Sequence, residues 1–129
     1  MISFLESSIA IVHGVVTLFN LFGWIPRRTR RVHLVVIIAT LASWSILGIF
    51  FGFGYCPFTD WQWDLKRRLG ETGLPNSFVE YYLEILTGAD LSPSFVDTLV
   101  LGSAVVALGM SLWLNLRRSR KTDRTRADE

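Results

Sequence analysis

Residues 34–55 read LVVIIATLASWSILGIFFGFGY, with no charged side chain among them. At about 1.5 Å rise per residue, a helix of about 20 such residues crosses the ~30 Å hydrocarbon layer of a bilayer. The stretch therefore predicts a transmembrane helix, and two other runs share its character. Residues 98–116 are also free of charge, and between Ile9 and Ile25 the one ionisable side chain is His13. Half of the 129 residues are hydrophobic, an ordinary share for a soluble protein, so distribution decides the class here. Three such runs would leave a soluble helical protein too little amphipathic surface to face water. The expected fold is all-α: a single integral membrane helical bundle with three transmembrane helices, at about 6–25, 33–55 and 94–116. Two short helices should form an extracytoplasmic cap over residues 57–88, and a basic tail follows at 117–129.

Charge orients these spans. Arg27, Arg28, Arg30 and Arg31 separate the first run from the second, and Arg117, Arg118, Arg120, Lys121, Arg124 and Arg126 follow the last. Threading three spans puts both groups on one side, where only Asp123, Asp128 and Glu129 oppose them. The other side holds Lys66, Arg67 and Arg68 against Glu6, Asp60, Asp64, Glu71, Glu80, Glu84, Asp90 and Asp97. The positive-inside tendency then predicts a cytoplasmic arginine loop and C-terminus and an extracytoplasmic N-terminus, with Lys66–Arg68 as the discordant cluster. A basic tail abutting a span reads as a topology signal and an anionic-lipid contact, not as a nucleic-acid surface. The opening MISFLESSIA lacks a positive n-region and a small-residue cleavage site, so the first span is expected to be retained. Cys56 is the one cysteine, which rules out an internal disulfide and a thiolate metal cluster.

Local signals divide the chain further. Trp24 and Pro26 mark the end of the first span, and a short arginine turn makes an antiparallel hairpin of the first two. Gly48 and Gly52 are spaced to let another helix approach closely, and Ser103, Ala107 and Ser111 make a similar small stripe on the last span. Thr59 with Gln62 matches a capping box, after which Trp61, Leu65 and Leu69 share a face suited to lying in the membrane interface. Ser77 with Glu80 makes a second capping box, Gly88 a stop, and Ser92 before Pro93 the start of the third span.

His13 is the residue most suggestive of chemistry, because an ionisable group left unpaired among lipid tails is costly. Glu6, His13 and Asn20, with Thr17 and Trp24, recur at helical spacing and should face the bundle. A histidine that hydrogen-bonds across helices and fixes packing is the preferred reading. A haem held by His13 and His33 is disfavoured: His33 begins the second span at the arginine end, whereas His13 lies about 18 Å from it. Trp44, Ser45 and Ser103 are the residues expected level with His13. Glu80 and the other outer acids could form an acid–base or cation site, but a capping role and a wet face explain Glu80 more simply. Cys56 has no second cysteine and no histidine beside it in sequence, so a packed thiol is preferred to a reactive one. No phosphate-binding glycine loop, zinc motif or nucleophile elbow occurs.

The chain resembles a bacterial family of small multi-pass membrane proteins, the domain-of-unknown-function 2784 family. The resemblance rests on a histidine in the first span, another near the start of the second, and then GYCPFTDWQWDLKRRLGETGLPNSFVEYYLEILTG. Its most specific parts are Cys56-Pro57-Phe58-Thr59, Gly70, and Phe78-Val79-Glu80-Tyr81-Tyr82-Leu83. Members commonly read CPLT in the first block, and in the second commonly place a histidine where this chain has Tyr81. That departure argues against a Glu–His metal or catalytic pair. The resemblance implies a bacterial inner membrane and a helical architecture, with no established activity attached.

Two functions are expected from these features. The first is a non-enzymatic membrane component that binds lipid, a partner membrane protein or another copy of itself through its cap and its small-residue helix faces. The second is a small-molecule or redox-cofactor site, for haem or quinone, between cap and bundle. It would use His13, Asn20, Trp44, Cys56, Asp60, Glu80 and Tyr81.

Overall fold

The computed structural model describes residues 1–52 and 54–129. Those residues form five α-helices and no strand: α1 (Ile2–Phe22), α2 (Arg30–Phe51), α3 (Pro57–Arg68), α4 (Phe78–Thr87) and α5 (Pro93–Ala127). α1, α2 and α5 are each long and apolar enough to cross a membrane. Their side chains agree with that reading. Ile11, Val15, Val35, Ile49 and Val106 are all more than half exposed, a surface that water would not tolerate and acyl chains would cover.

Polar and small residues hold the spans together. α2 packs most extensively on α5, where Ala104, Ala107 and Ser111 are buried and let the two backbones approach. Of the stripe expected at Ser103, Ala107 and Ser111, the last two are buried as expected and Ser103 is not. Ser103 turns its hydroxyl back to Leu99 O (2.7 Å), and Ala104 takes its place in the contact. At the arginine end, Asn115 Nδ2 donates to Arg30 O (3.1 Å), pinning α5 to the start of α2. The turn between α1 and α2 closes on itself. Thr29 Oγ1 donates to Gly23 O (2.6 Å), and Arg30 Nε donates to Trp24 O (3.0 Å).

The boundaries differ from expectation for identifiable reasons. α1 starts at Ile2 and ends at Phe22, before Trp24 and Pro26. α2 ends at Phe51 because Gly52 turns to φ 103°, a conformation that stops a helix. The expected end at 55 takes in Phe53, which lies outside the described residues. A side chain at Gly52 would meet nothing within 4 Å, so this glycine terminates the helix and admits no neighbour, contrary to its reading as half of a packing pair. α5 continues without a break past Leu116 to Ala127, so the basic tail is itself helical.

At the opposite end α3 and α4 form the cap. α3 begins at Pro57, with Cys56 as N-cap and no side-chain cap. Thr59 and Gln62 therefore lie inside the helix, both buried, and do not form the expected capping box. Ser77 does cap α4, its Oγ accepting from the backbone N–H of Glu80, and Gly88 ends that helix at φ 68°. Ser92 and Pro93 open α5 as expected.

Candidate functional site

α1 carries Glu6, His13 and Asn20 at a seven-residue spacing, which keeps all three near one helix face. Each meets a different layer of the molecule. Thr17 and Trp24, grouped with them on spacing alone, are satisfied locally: Thr17 Oγ1 donates to His13 O (2.9 Å) and Trp24 Nε1 to Leu21 O (2.8 Å).

Asn20 is nearest the arginine end. Its Nδ2 donates to Thr40 Oγ1 on α2 (3.0 Å), and its carbonyl lies 2.9 Å from His33 Nε2. His33 is fully buried with its ring edge-on to Phe19. It thus joins α1 to α2, in place of the interfacial role beside the arginines expected of it. Seven residues separate Asn20 from His13, about 10 Å along the helix, so His13 and His33 do not converge on one point.

His13 meets the cap. Its Nε2 lies 3.8 Å from Cys56 Sγ, and its ring centroid lies 4.0 Å from that of Phe78 and 6.0 Å from that of Phe58. The ring is buried, and Nδ1 has no hydrogen-bond partner among the described residues. The chain fold thus supplies what sequence adjacency did not, a histidine against the thiol. Trp44, expected level with His13, is half-buried on α2 and makes no ring contact among the described residues. Phe78, in the first turn of α4, takes that position, with its ring also against Gly14.

Toward the N-terminus of α1 lies a polar knot. Lys66 Nζ sits 3.1 Å from Glu6 Oε1 and 3.2 Å from Glu71 Oε1. Gln62, with no exposed surface, donates from Nε2 to Glu6 Oε1 (3.1 Å) and to Tyr82 OH (3.2 Å). Tyr81 donates its hydroxyl to Glu71 Oε2 (3.0 Å), and its ring centroid lies 4.8 Å from Lys66 Nζ. Burial opposes the Lys66 charge, yet the hydrogen bonds of Glu6, Tyr81 and Glu71 outweigh it and hold the ammonium's pKa above its ordinary range. The discordant Lys66 is therefore the partner of the one acid on α1. Glu6 as a lone acid at the cap end of a span, among few cap cations, was the available signal.

The remaining candidates lie apart. Asp60 is exposed and accepts from Tyr55 OH (3.0 Å). Glu80 is 5 % exposed, and its Oε2 has no partner among the described residues, so the solvated face assigned to it is a buried one. The capping role engages its backbone N–H and leaves the carboxylate unused. Burial first, and then the charges of Glu84, Asp97 and Asp90, push the Glu80 carboxyl above its usual range. Of the seven residues proposed to share a site, only His13 and Cys56 bring their side chains together among the described residues, and Asp60 meets Cys56 through its backbone N–H alone (3.2 Å to Cys56 O). Tyr81 is linked to them through Tyr82, whose ring is tilted against that of Phe78 with centroids 4.7 Å apart. No group of three or more His, Cys, Asp or Glu residues among those described is arranged to hold a metal.

A family model described as "Protein of Unknown function (DUF2784)" matches residues 3–116, from the first turn of α1 to the end of the uncharged stretch of α5. The chain belongs to that family. No curated protein and no solved structure matches it.

Proposed function

We propose, from a three-span member of this family, a non-enzymatic component of the bacterial inner membrane that acts by binding through its cap. The single observation that carries this reading is the outward face of α3, which mixes large apolar and charged side chains. Gln62, Trp63 and Lys66 are buried, the polar pair against α1, while Phe58, Trp61 and the C-capping Leu69 are turned outward among Asp60, Asp64, Arg67 and Arg68, Trp61 with 61 % of its surface exposed. A helix following within a few residues of a span's end, with tryptophan on its open face, suits the lipid headgroup layer. The positive-inside tendency puts this cap on the outer side with the N-terminus, and the arginine loop and C-terminus in the cytoplasm. The first ligand of the open face is thus outer-leaflet lipid. A nitroxide placed by Trp61→Cys in a Cys56→Ser background tests this in liposomes. Collision with oxygen should exceed collision with a water-soluble nickel chelate. The reverse order would remove the lipid reading, and immobilisation in native membranes alone would identify a protein occupant or a second copy instead.

A second reading has its own observation, the contact between His13 and Cys56 with an unused Nδ1 and two phenylalanine walls. Such a junction would suit a flat redox-active molecule, haem or quinone, with His13 as ligand or proton relay. An absorption spectrum of the purified protein and mass analysis of a solvent extract test it. A colourless protein yielding nothing on extraction, and equally stable as His13→Ala, would retire it.

A further inference from the structure

At the arginine end, a half-open hollow of about 310 Å³ lies between the start of α2 and the extended part of α5, lined by Arg31, Asn115, Arg118, Ser119, Thr122 and Asp123. The polar groups around it divide into those already committed and those left over. Arg30 spends Nε on Trp24 O and Nη2 on Ile25 O (3.3 Å), closing the turn. Arg117 lies over the Trp113 ring at 4.5 Å. Asn115 is fixed between Arg30 O and Ser111 O, so the floor of the hollow is rigid. Arg31 and Arg118, by contrast, make no ion pair or side-chain hydrogen bond among the described residues, although Asp123 lines the same hollow. Two free guanidinium forks face one concave space.

The backbone adds to this. The first intrahelical bond of α2 runs from His33 N to Thr29 O, leaving the amides of Arg30, Arg31 and Val32 ahead of it. Thr29 cannot cap them, since its hydroxyl is turned to the carbonyls of Gly23 and Pro26. A helix start with unused amides carries partial positive charge and adds to that of the two arginines.

We propose that this hollow is a binding site for a phosphate group. Arg31 and Arg118 supply paired N–H donors to its oxygens, and the Ser119 hydroxyl supplies one more. Guanidinium forks match phosphate geometry, and the rigid Asn115 bridge holds their two helices at a fixed separation. Depth favours the headgroup of a membrane lipid as the source. Residues 118–122 lie about 3–9 Å along α5 beyond Leu116, which is the thickness of the headgroup layer. Asp123 at the rim restricts the site to one phosphate and would accept from a headgroup hydroxyl or ammonium.

Native mass spectrometry of the full chain in detergent tests the site, with short-chain phosphatidylglycerol, a diacylglycerol of equal chain length and inorganic phosphate as probes. Phosphatidylglycerol should bind and diacylglycerol should not. Arg31→Gln with Arg118→Gln should weaken binding about tenfold. Arg27→Gln with Arg28→Gln removes the same charge outside the hollow and should leave affinity within about threefold. Competition by millimolar inorganic phosphate would support the site and identify free phosphate as its source; no competition would support the lipid. Equal losses in the two double variants, or none in the first, would overturn it. All four arginines are exposed, so circular dichroism should show both variants fully helical.

Discussion

Gly23, the C-cap of α1, and Gly102, inside α5, make a useful comparison, because neither has a positive φ and their surroundings are opposite. A Cβ on Gly23 would lie 2.6 Å from Phe19 O and 2.9 Å from His33 Cδ2, whereas one on Gly102 would meet nothing within 4 Å. Gly23→Ala should therefore cost about 1–3 kcal/mol by forcing α1 and His33 apart. Gly102→Ala, in the interior of α5 with room for a methyl, should cost nothing and gain up to about 1 kcal/mol. Unfolding in mixed detergent would separate the two. Glu80 makes a prediction about pH. Its folded-state pKa is raised by burial, with Glu84, Asp97 and Asp90 adding to it, so the folded chain keeps a proton that the unfolded chain has already released. Stability should then fall as pH rises from the ordinary carboxylate range through the raised value, and be greatest below that window. Glu80→Gln should flatten this slope and gain on the order of 1 kcal/mol at neutral pH. An unchanged slope would show that the carboxylate finds a partner. Residue-level reading succeeded for Ser77 and Gly88, whose roles depend only on neighbours in sequence. It failed for Glu80, where a local role for the backbone concealed a distant fate for the side chain.

At the scale of elements, the cap is held by its polar face. The side chains of Lys66 and Glu6 are 8 % and 12 % exposed, so Glu6 would be a stranded charge without Lys66, whereas Lys66 would keep the more exposed Glu71. Lys66→Ala should cost about 3 kcal/mol, much of it from leaving Glu6 unpaired. The double change Glu6→Gln with Lys66→Met, which removes both charges and keeps volume, should return to within about 1 kcal/mol of the parent. A double-mutant cycle with additive losses would mean the ion pair does not join α1 to α3. The exposed Arg68–Asp64 pair (3.0 Å, both side chains more than half exposed) gives the contrast, and Arg68→Ala should be nearly silent. These elements were legible as helices because periodicity and caps are local signals. Which face of α3 met the bundle was not. In water an apolar face points inward, but beside a bilayer both faces can find a suitable medium, so the choice falls to a pairing across 60 residues that spacing does not encode.

At the scale of the whole molecule, the three spans were legible because an uncharged run of bilayer length has few other uses. The cap's position over α1 came from chain return. α4 brings Phe78 onto His13, and α3 brings Cys56 beside it, so the sole thiol marks the boundary between cap and spans. That placement makes Cys56 a reporter of threading, since it is part-exposed and the arginines lie at the other end of every span. An arginine loop and a helical basic tail held in the cytoplasm require that an impermeant maleimide label Cys56 on intact cells. A tail reporter, Thr125→Cys in a Cys56→Ser background, should react only after permeabilisation. Packing against His13 could slow the native thiol, so Asp60→Cys in the same background provides an exposed cap position. Labelling of the tail reporter on intact cells, with the Asp60 position protected, would mean that the acidic cap faces the cytoplasm. Lys66 would still pair with Glu6 and the phosphate hollow would keep its geometry, but that hollow would then draw its lipid from the opposite leaflet.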